Sequence, residues 1–376
     1  MKKLSFVFMA VAALCGLLAS CNDVNKVSEE MTGGLTLTVL SDAPATKAAS
    51  TDVLDYEKSL NSLDLYVFEG GSTLFFHERL TPGGTSSDES RLEYSFNSTD
   101  NSISATVKKL PVSTYTLVLV ANFPADDLAG LTTVSGIEEK AITLANCSTT
   151  ASKGFVMYAK KTGVSVSGGQ TTTVSGGIQL ERFASRVRLV SVKNSIPASA
   201  VYANSNKITV NGIFLSNVAS AWSFGAPTSG TGAPSTPTNI RGKQSNTNIT
   251  PTTQVTYPVT LYKPSTGADV AQGATSQLNW NTYGFETKSV LSGATEPKLV
   301  VCATVNGTLY YYPVFLIQGD PYPARTGIGR NQTYDIALDI SGTGSTDPDT
   351  RVERGAIAAT ITVKAWVAGA DYSETI

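Results

Sequence analysis

Histidine occurs once in this 376-residue chain, at His77, so any Ser-His-Asp or Cys-His arrangement would have to be built on that single imidazole. No G-x-S-x-G elbow surrounds a serine. His77 lies between "LFF" and "ER", the setting of a strand or turn residue rather than a general base. Metal-binding spacings are equally scarce, with no C-x-x-C and no H-E-x-x-H. Asp347 and Asp349 could hold calcium weakly, but the ligand spacing and closing Glu of a calcium loop are missing, and a solvated linker is the plainer reading. The Gly-rich "GTGSTDPD" leads into no helix and makes no phosphate cradle. Thirty acidic residues leave a glycosidase-like carboxylate pair conceivable, yet no pair stands out. The chain reads as a non-enzyme without a cofactor, and a net charge of −2 gives no reason to expect nucleic acid as a partner.

The chemistry that can be named lies near the N-terminus. "MKK" is a basic n-region, and Leu4 to Ala19 is an uncharged apolar run of signal-peptide length, short of the roughly 20 residues of a comfortable membrane span. It ends in Leu18, Ala19, Ser20 and Cys21, which resembles the bacterial lipobox, in which the signal is cut before a cysteine that is then acylated. The alternative is an ordinary secretory signal in which Cys21 is incidental. Removal of the signal takes Cys15 with it, and lipidation uses Cys21, leaving Cys147 and Cys302 as two free, strand-associated thiols or one inter-domain bridge. Further on, "GLTLTVLS" alternates as a strand with Leu35, Leu37 and Val39 on one face. The small, polar "DAPATKAAS" behind it offers a single basic residue, Lys47, followed by Ala48.

The elements around these residues are strands. Gly, Ser and Thr are abundant, and long helical patterns are missing beyond the N-terminus, which favours an all-β chain. "LNSLDLYVFEGG" and "STLFFHERL" read as a hairpin, and "TYTLVLVAN" as a strand buried on both faces. A short helix or irregular loop is expected in "ADDLAGLTTVSGIEEKAITL", a brief strand in "GFVMYAKK", and a domain crossing near Phe183 to Arg186. "GAPTSGTGAPSTPTN" reads as a mobile loop. Asn306-Gly307 signals a hairpin between "LVVCATV" and "LYYYPVFLI". In the closing segment Ile357, Ala359, Ile361, Val363, Ala365 and Val367 share one face, so both ends of the mature chain read as single amphipathic strands set off by polar linkers.

The lipobox, "ATKAAS", "LDLYVFEGG", "YTLVLVANFP", "LERFASRVRLVSV", "ITVNGIFLSNV", "GRNQTYDIALDISGTGSTDP" and "ITVKAWVAG" occur in that order, and together they resemble the fimbrillin family of Bacteroidales, the FimA-like and Mfa-like subunits of type V pili. The resemblance implies two tandem transthyretin-like β-sandwich domains behind a lipoprotein signal peptide. The expected divisions are 1–20, signal peptide; 21–47, lipidated propeptide with a removable first strand; 48–184, N-terminal sandwich; and 185–376, C-terminal sandwich with a C-terminal donor strand. It also implies export to the outer membrane and cell surface, with a lipid anchor holding the precursor at the membrane. Cleavage between Lys47 and Ala48 would then release the first strand, and the C-terminal strand of another subunit would fill the groove. Relatives often carry Arg at the cleavage point, so Lys47 calls for a trypsin-like surface protease that accepts lysine. The displaced residues would be Leu35, Leu37 and Val39, and the donors Ile357, Ile361, Val363 and Val367. The implied partners are other fimbrial subunits, as a homopolymer and with tip and anchor proteins. Two alternatives stand beside a shaft subunit: a tip or anchor subunit, and a glycan-binding surface lipoprotein using Trp222 and Trp280 as aromatic platforms.

Overall fold

The computed structural model describes residues 32–41, 54–200, 207–219, 221–225, 239–242, 254–255, 262–287, 297–318, 325–326, 328–350, 352, 356–365 and 372–375. The signal segment, Cys21, Lys47, Ala48, most of "GAPTSGTGAPSTPTN", Trp366 and Val367 lie outside the described residues.

The first half builds two facing sheets. One contains β1 (Thr32–Leu40), β4 (Leu92–Asn97) and β5 (Ser102–Pro111), together with the short β9 (Thr171–Thr173) and β10 (Ile178–Gln179). The other runs in the order β11-β8-β6-β2-β3, from β2 (Leu63–Glu69), β3 (Thr73–Leu80), β6 (Ser113–Ala121), β8 (Met157–Val166) and β11 (Glu181–Arg182). Because successive strand residues point to opposite faces, β6 divides its side chains between two cores. Tyr115, Leu117, Leu119 and Ala121 enter the core between the two sheets, while Val118 and Val120 enter a second core behind. The strand expected to be buried on both faces is buried from Tyr115 to Ala121. Short helices α1 (Asp55–Lys58), α2 (Ala125–Leu128) and α3 (Val134–Glu138), with β7 (Ala141–Thr143), cover this outer face. The expected brief strand at "GFVMYAKK" is longer than foreseen, since β8 continues to Val166 to track the length of β6.

At Phe183 the chain leaves the first pair of sheets, and β12 (Ala184–Asn194) opens the second pair. There β13 (Lys207–Ala219), β15 (Asn239–Gly242), β16 (Gln254–Val255), β17 (Tyr262–Ala271), β19 (Lys298–Val305) and β20 (Thr308–Phe315) form one sheet. β14 (Ala221–Ser223) reaches back to pair with β7 of the first half. The facing sheet contains β18 (Thr275–Phe285), β23 (Gln332–Ile340), β24 (Ile357–Ala365) and β25 (Tyr372–Thr375), in the order β18-β12-β23-β24-β25. A small ribbon, β21 (Ile317–Gln318) with β22 (Arg325–Thr326), lies apart. The Asn-Gly hairpin is present: Asn306 and Gly307 have φ of 49° and 78°, and Val305 pairs with Thr308. The chain is therefore all-β, built as two β-sandwiches in tandem.

Three features differ from the expectations. The polar stretch before the last strands is packed rather than loose: Tyr311 and Ser345 exchange backbone hydrogen bonds, and Lys298 donates to Asp349 at 2.6 Å. That ion pair uses one of the two carboxylates considered for calcium. Cys147 and Cys302 are both buried and outside any disulfide, but only Cys302 sits on a strand, since Cys147 follows a 3-10 turn. Burial pushes the Cys147 thiol up to about 12 and raises that of Cys302 as well. Third, Trp222 is only 3% exposed, packed in the core beneath the Arg330 guanidinium, and cannot serve as an open aromatic platform; Trp280 is half-buried against the same core.

Candidate functional site

β1 occupies an interior position in its sheet. On one side it pairs antiparallel with β5, from Thr32 opposite Pro111 to Leu40 opposite Ser102. On the other it runs parallel to β9 and β10. That second side is stitched by Gly169 N–H to Thr32 O at 2.9 Å, Gly34 N–H to Gln170 O at 2.8 Å, Val174 N–H to Thr36 O at 2.9 Å and Leu180 N–H to Leu40 O at 2.9 Å. Leu35, Leu37 and Val39 are at most 1% exposed and complete the first sandwich core. Each such side chain contributes about 1.5–3 kcal/mol on burial. Taking β1 out would leave a slot with backbone partners on both walls and an apolar floor.

The two ends of the slot have distinct chemistry. At the start, Gly33 faces Leu110 across a bulge in β5, where Lys109 takes a φ of 57°. A Cβ at Gly33 would lie 2.3 Å from Ser167 O, 2.7 Å from Val166 Cγ1 and 2.8 Å from Gln170 O. Two of those atoms are backbone carbonyls, so no side chain fits there. At the far end, Ser41 is buried, and its hydroxyl donates to Lys58 O at 2.7 Å and Asn101 O at 3.1 Å. Its carbonyl accepts from Nη2 of the fully buried Arg182 at 2.8 Å.

Arg182 also donates to Glu57 O and to Asn331 Oδ1, so it joins the end of β1 to the junction between the sandwiches. There the Glu57 carboxylate receives both Arg186 Nη1, at 3.0 and 2.9 Å, and the Tyr283 hydroxyl, at 2.7 Å. Burial raises the Tyr283 hydroxyl, with the Glu57 charge beside it adding to the shift. Glu57 and Arg186 are both nearly inaccessible, and breaking such a buried pair by removing one partner costs about 3–5 kcal/mol. The junction is thus a fixed support for one end of the β1 slot. Nothing in the sequence singled out Arg182, because a lone Arg in "LERFAS" reads as an ordinary surface charge.

The residues expected to act as donors occupy a different sheet. Ile357, Ile361 and Val363 lie on β24, which pairs with β23 along nine residues, from Ile340 opposite Ile357 to Gln332 opposite Ala365. Ala359 and Ile361 are 4% and 1% exposed and belong to the second core. Among the described residues β24 carries on its outer side only β25, over four residue pairs. β24 is therefore neither the last strand nor an isolated appendage, and over Thr360–Val363 its outer edge is covered by β25, which follows it in the chain. His77 stacks on Tyr66 at 3.9 Å and its Nε2 lies 3.1 Å from Asp64 Oδ1, a structural setting with no nucleophile. Among the described residues no group of three or more His, Cys, Asp or Glu could hold a metal, and no helix is long and apolar enough to cross a membrane.

Comparison with known proteins adds family and fold. A family model described as "Fimbrillin-A associated anchor proteins Mfa1 and Mfa2" matches residues 28–368. No curated protein matched the chain. Among solved structures, a candidate cell adhesion protein from Parabacteroides distasonis shares 15% identity over 92% of this chain and 99% of its own, with a TM-score of 0.62. One from Bacteroides eggerthii shares 16% over 89% and 96%, with a TM-score of 0.58. A fimbrilin from Porphyromonas gingivalis shares 14% over 91% and 99%, with a TM-score of 0.57. At these identities the likeness is one of fold.

Proposed function

Because this chain belongs to the family of fimbrillin-A associated anchor proteins, a structural family of fimbriae at the cell surface, we propose that it is a fimbrial subunit assembled by protease-triggered donor-strand exchange. The observation that carries the reading is β1: an interior strand whose three buried side chains finish a core, joined to the rest of the chain through a segment with one basic residue. In this reading Cys21 is lipidated and holds the precursor at the outer membrane. A trypsin-like surface protease cuts between Lys47 and Ala48, and the β1 segment departs. A strand from another subunit then restores the ladder and the core, a form of strand addition. Before the cut the tethered β1 has a high effective concentration in its own slot, which keeps the precursor monomeric. A head-to-tail contact of this kind does not close on itself, so it grows a filament that supports adhesion.

The donor is the C-terminal segment carrying Ile357, Ile361, Val363 and Val367. Its release is made easier by its place next to the sheet edge, where only the four-residue β25 lies outside it. Peeling β24 away gives up the ladder with β23 and regains one in the neighbour's slot.

Purified precursor should be treated with trypsin and run without boiling. Ladders, with an N-terminus at Ala48 in the assembled material, are the expected outcome. Lys47→Ala should remain a lipidated monomer; normal polymer from that variant would overturn the mechanism. The family description favours a second reading, an anchor that keeps β1 and donates only. Retention of Cys21 and β1 in assembled fibres would establish that reading in place of the shaft subunit.

A further inference from the structure

We infer that the β1 slot fixes the register of the incoming strand through the side-chain-free position at Gly33, and that the segment it selects is Gly355–Val363 of a second copy of this chain. The inference rests on the donor-strand reading above and specifies which residues enter which positions. Any strand following the path of β1 must place a glycine where Gly33 stands, because the Ser167 and Gln170 carbonyls would lie 2.3 and 2.8 Å from a Cβ. Backbone carbonyls in a ladder cannot step aside as a side-chain tip could. The next position is tight but negotiable: a Cβ at Gly34 would meet the Thr171 side chain at 3.0 Å and Val107 O at 3.4 Å. Positions 35, 37 and 39 then require apolar side chains pointing into the core. The ninth position must still offer a carbonyl to Arg182, as Ser41 does.

Set against those requirements, "GAIAATITV" from Gly355 to Val363 aligns with "GGLTLTVLS" from Gly33 to Ser41 in the same chain direction. Gly355 takes the side-chain-free position and Ala356 the tight one. Ile357, Ala359 and Ile361 take the places of Leu35, Leu37 and Val39, and Thr360 falls where Thr38 stands. Val363 supplies the carbonyl for Arg182. Sliding the donor forward by two residues puts Ile357 at the position of Gly33 and Ala359 at that of Leu35, and sliding it by four puts Ala359 at the position of Gly33. Sliding it back by two puts Glu353 there. Each places a Cβ against the Ser167 carbonyl.

The competing solution uses Gly369 with the strand reversed, so that Val367, Ala365 and Val363 fill the three apolar positions. Reversal would turn the eight-pair antiparallel ladder with β5 into a parallel one, slightly less stable per residue, and make only the five pairs with β9 and β10 antiparallel, so the longer ladder is the one that loses. The alignment in the original direction keeps every strand pairing that β1 now makes. It also leaves the Leu37 position occupied by Ala359, one place where the donor fills the core less completely than the strand it replaces.

The test uses full-length precursor and two pairs of cysteines. Ser104 is exposed on β5 directly opposite Thr38, so Ser104→Cys combined with Thr360→Cys should form an inter-subunit disulfide after trypsin and none before. Ser104→Cys combined with Lys364→Cys reports the reversed strand, in which Lys364 would take the Thr38 position. Cross-linking of the first pair alone is the expected result. Cross-linking of the second pair, or equal cross-linking of both, overturns the register. In parallel, Gly355→Val should cleave normally yet lose at least about tenfold in ladder yield, whereas Gly369→Val should assemble as the parent does. Melting of both uncleaved variants serves as the folding control. Normal ladders from Gly355→Val would overturn the glycine rule while leaving strand exchange standing. A parent chain that is cut at Lys47 and makes no ladders would instead remove the donor-strand reading itself.

Discussion

The first and last long strands of this chain look alike in sequence and are held differently. β1 is walled on both sides and sends Leu35, Leu37 and Val39 into a core at no more than 1% exposure. β24 is walled by β23 over nine pairs but by β25 over only four, and just Ala359 and Ile361 are fully enclosed. Ile357 and Val363, at the flanks of that strand, are only partly buried. In the proposed exchange, the difference would separate two roles. A strand that must be cut before it can leave is one whose slot is closed on every side. A strand that must leave without being cut is better placed near an edge, where one ladder and a few side chains hold it.

The largest expected effect that would sharpen this contrast comes from Leu37→Ala in the precursor, which should cost about 2–5 kcal/mol by opening a cavity in the first core. The same change should have no effect on the trypsin-cut chain after its β1 segment has gone, and a matching loss in both forms would show that β1 never leaves. Next comes deletion of Ile357–Ile376. A strand that served only as a donor could be deleted without cost to the monomer. With Ala359 and Ile361 in the second core, the loss should instead cost about 2–4 kcal/mol, from roughly 1.5–3 kcal/mol for the isoleucine and about 0.8 kcal/mol for the alanine methyl. Urea unfolding of the precursor measures it, and an unchanged midpoint would mean that β24 is only loosely docked.

Ala359→Leu should move in two directions. Overpacking the second core would destabilise the monomer by about 1–3 kcal/mol. In the Leu37 position of a neighbour the added side chain would fill space, so ladders from this variant should resist heating better than those of the parent. The smallest effect is expected from removing residues 372–376, since β25 makes only four pairs at the sheet edge. Precursor stability should fall by about 1 kcal/mol, the order of one net ladder hydrogen bond, while assembly after cleavage becomes faster; slower assembly would argue that β25 takes part in donation.

Much of the fold was legible because alternation reports directly on which face of a strand is buried. The Asn306-Gly307 hairpin, the doubly buried "TYTLVLVAN" and the small helices between Ala125 and Glu138 all follow from local pattern. Leu35, Leu37 and Val39 were identifiable as one apolar face from the sequence alone, by the same rule. What pattern could not supply was the partner of each face. Trp222 reads as a possible platform in one dimension, and only the approach of Arg330 and the surrounding core buries it. The linker around Asp347 and Asp349 reads as solvated until Lys298, far away in sequence, comes to meet it.

The amino-acid sequence by itself determined that this chain is strand-built, poor in catalytic groups and carries an amphipathic strand near each end, because composition and period are local properties. The tertiary structure decided that β1 is an interior strand, that a glycine is obligatory at its start, and that Arg182 grips its far end. It also decided that β24 belongs to a core before it can belong to a neighbour. Those are facts of long-range pairing, set by which backbone carbonyls and apolar faces meet across 62 to 79 residues on the β5 side and 137 on the β9 side, and no window along the chain contains them.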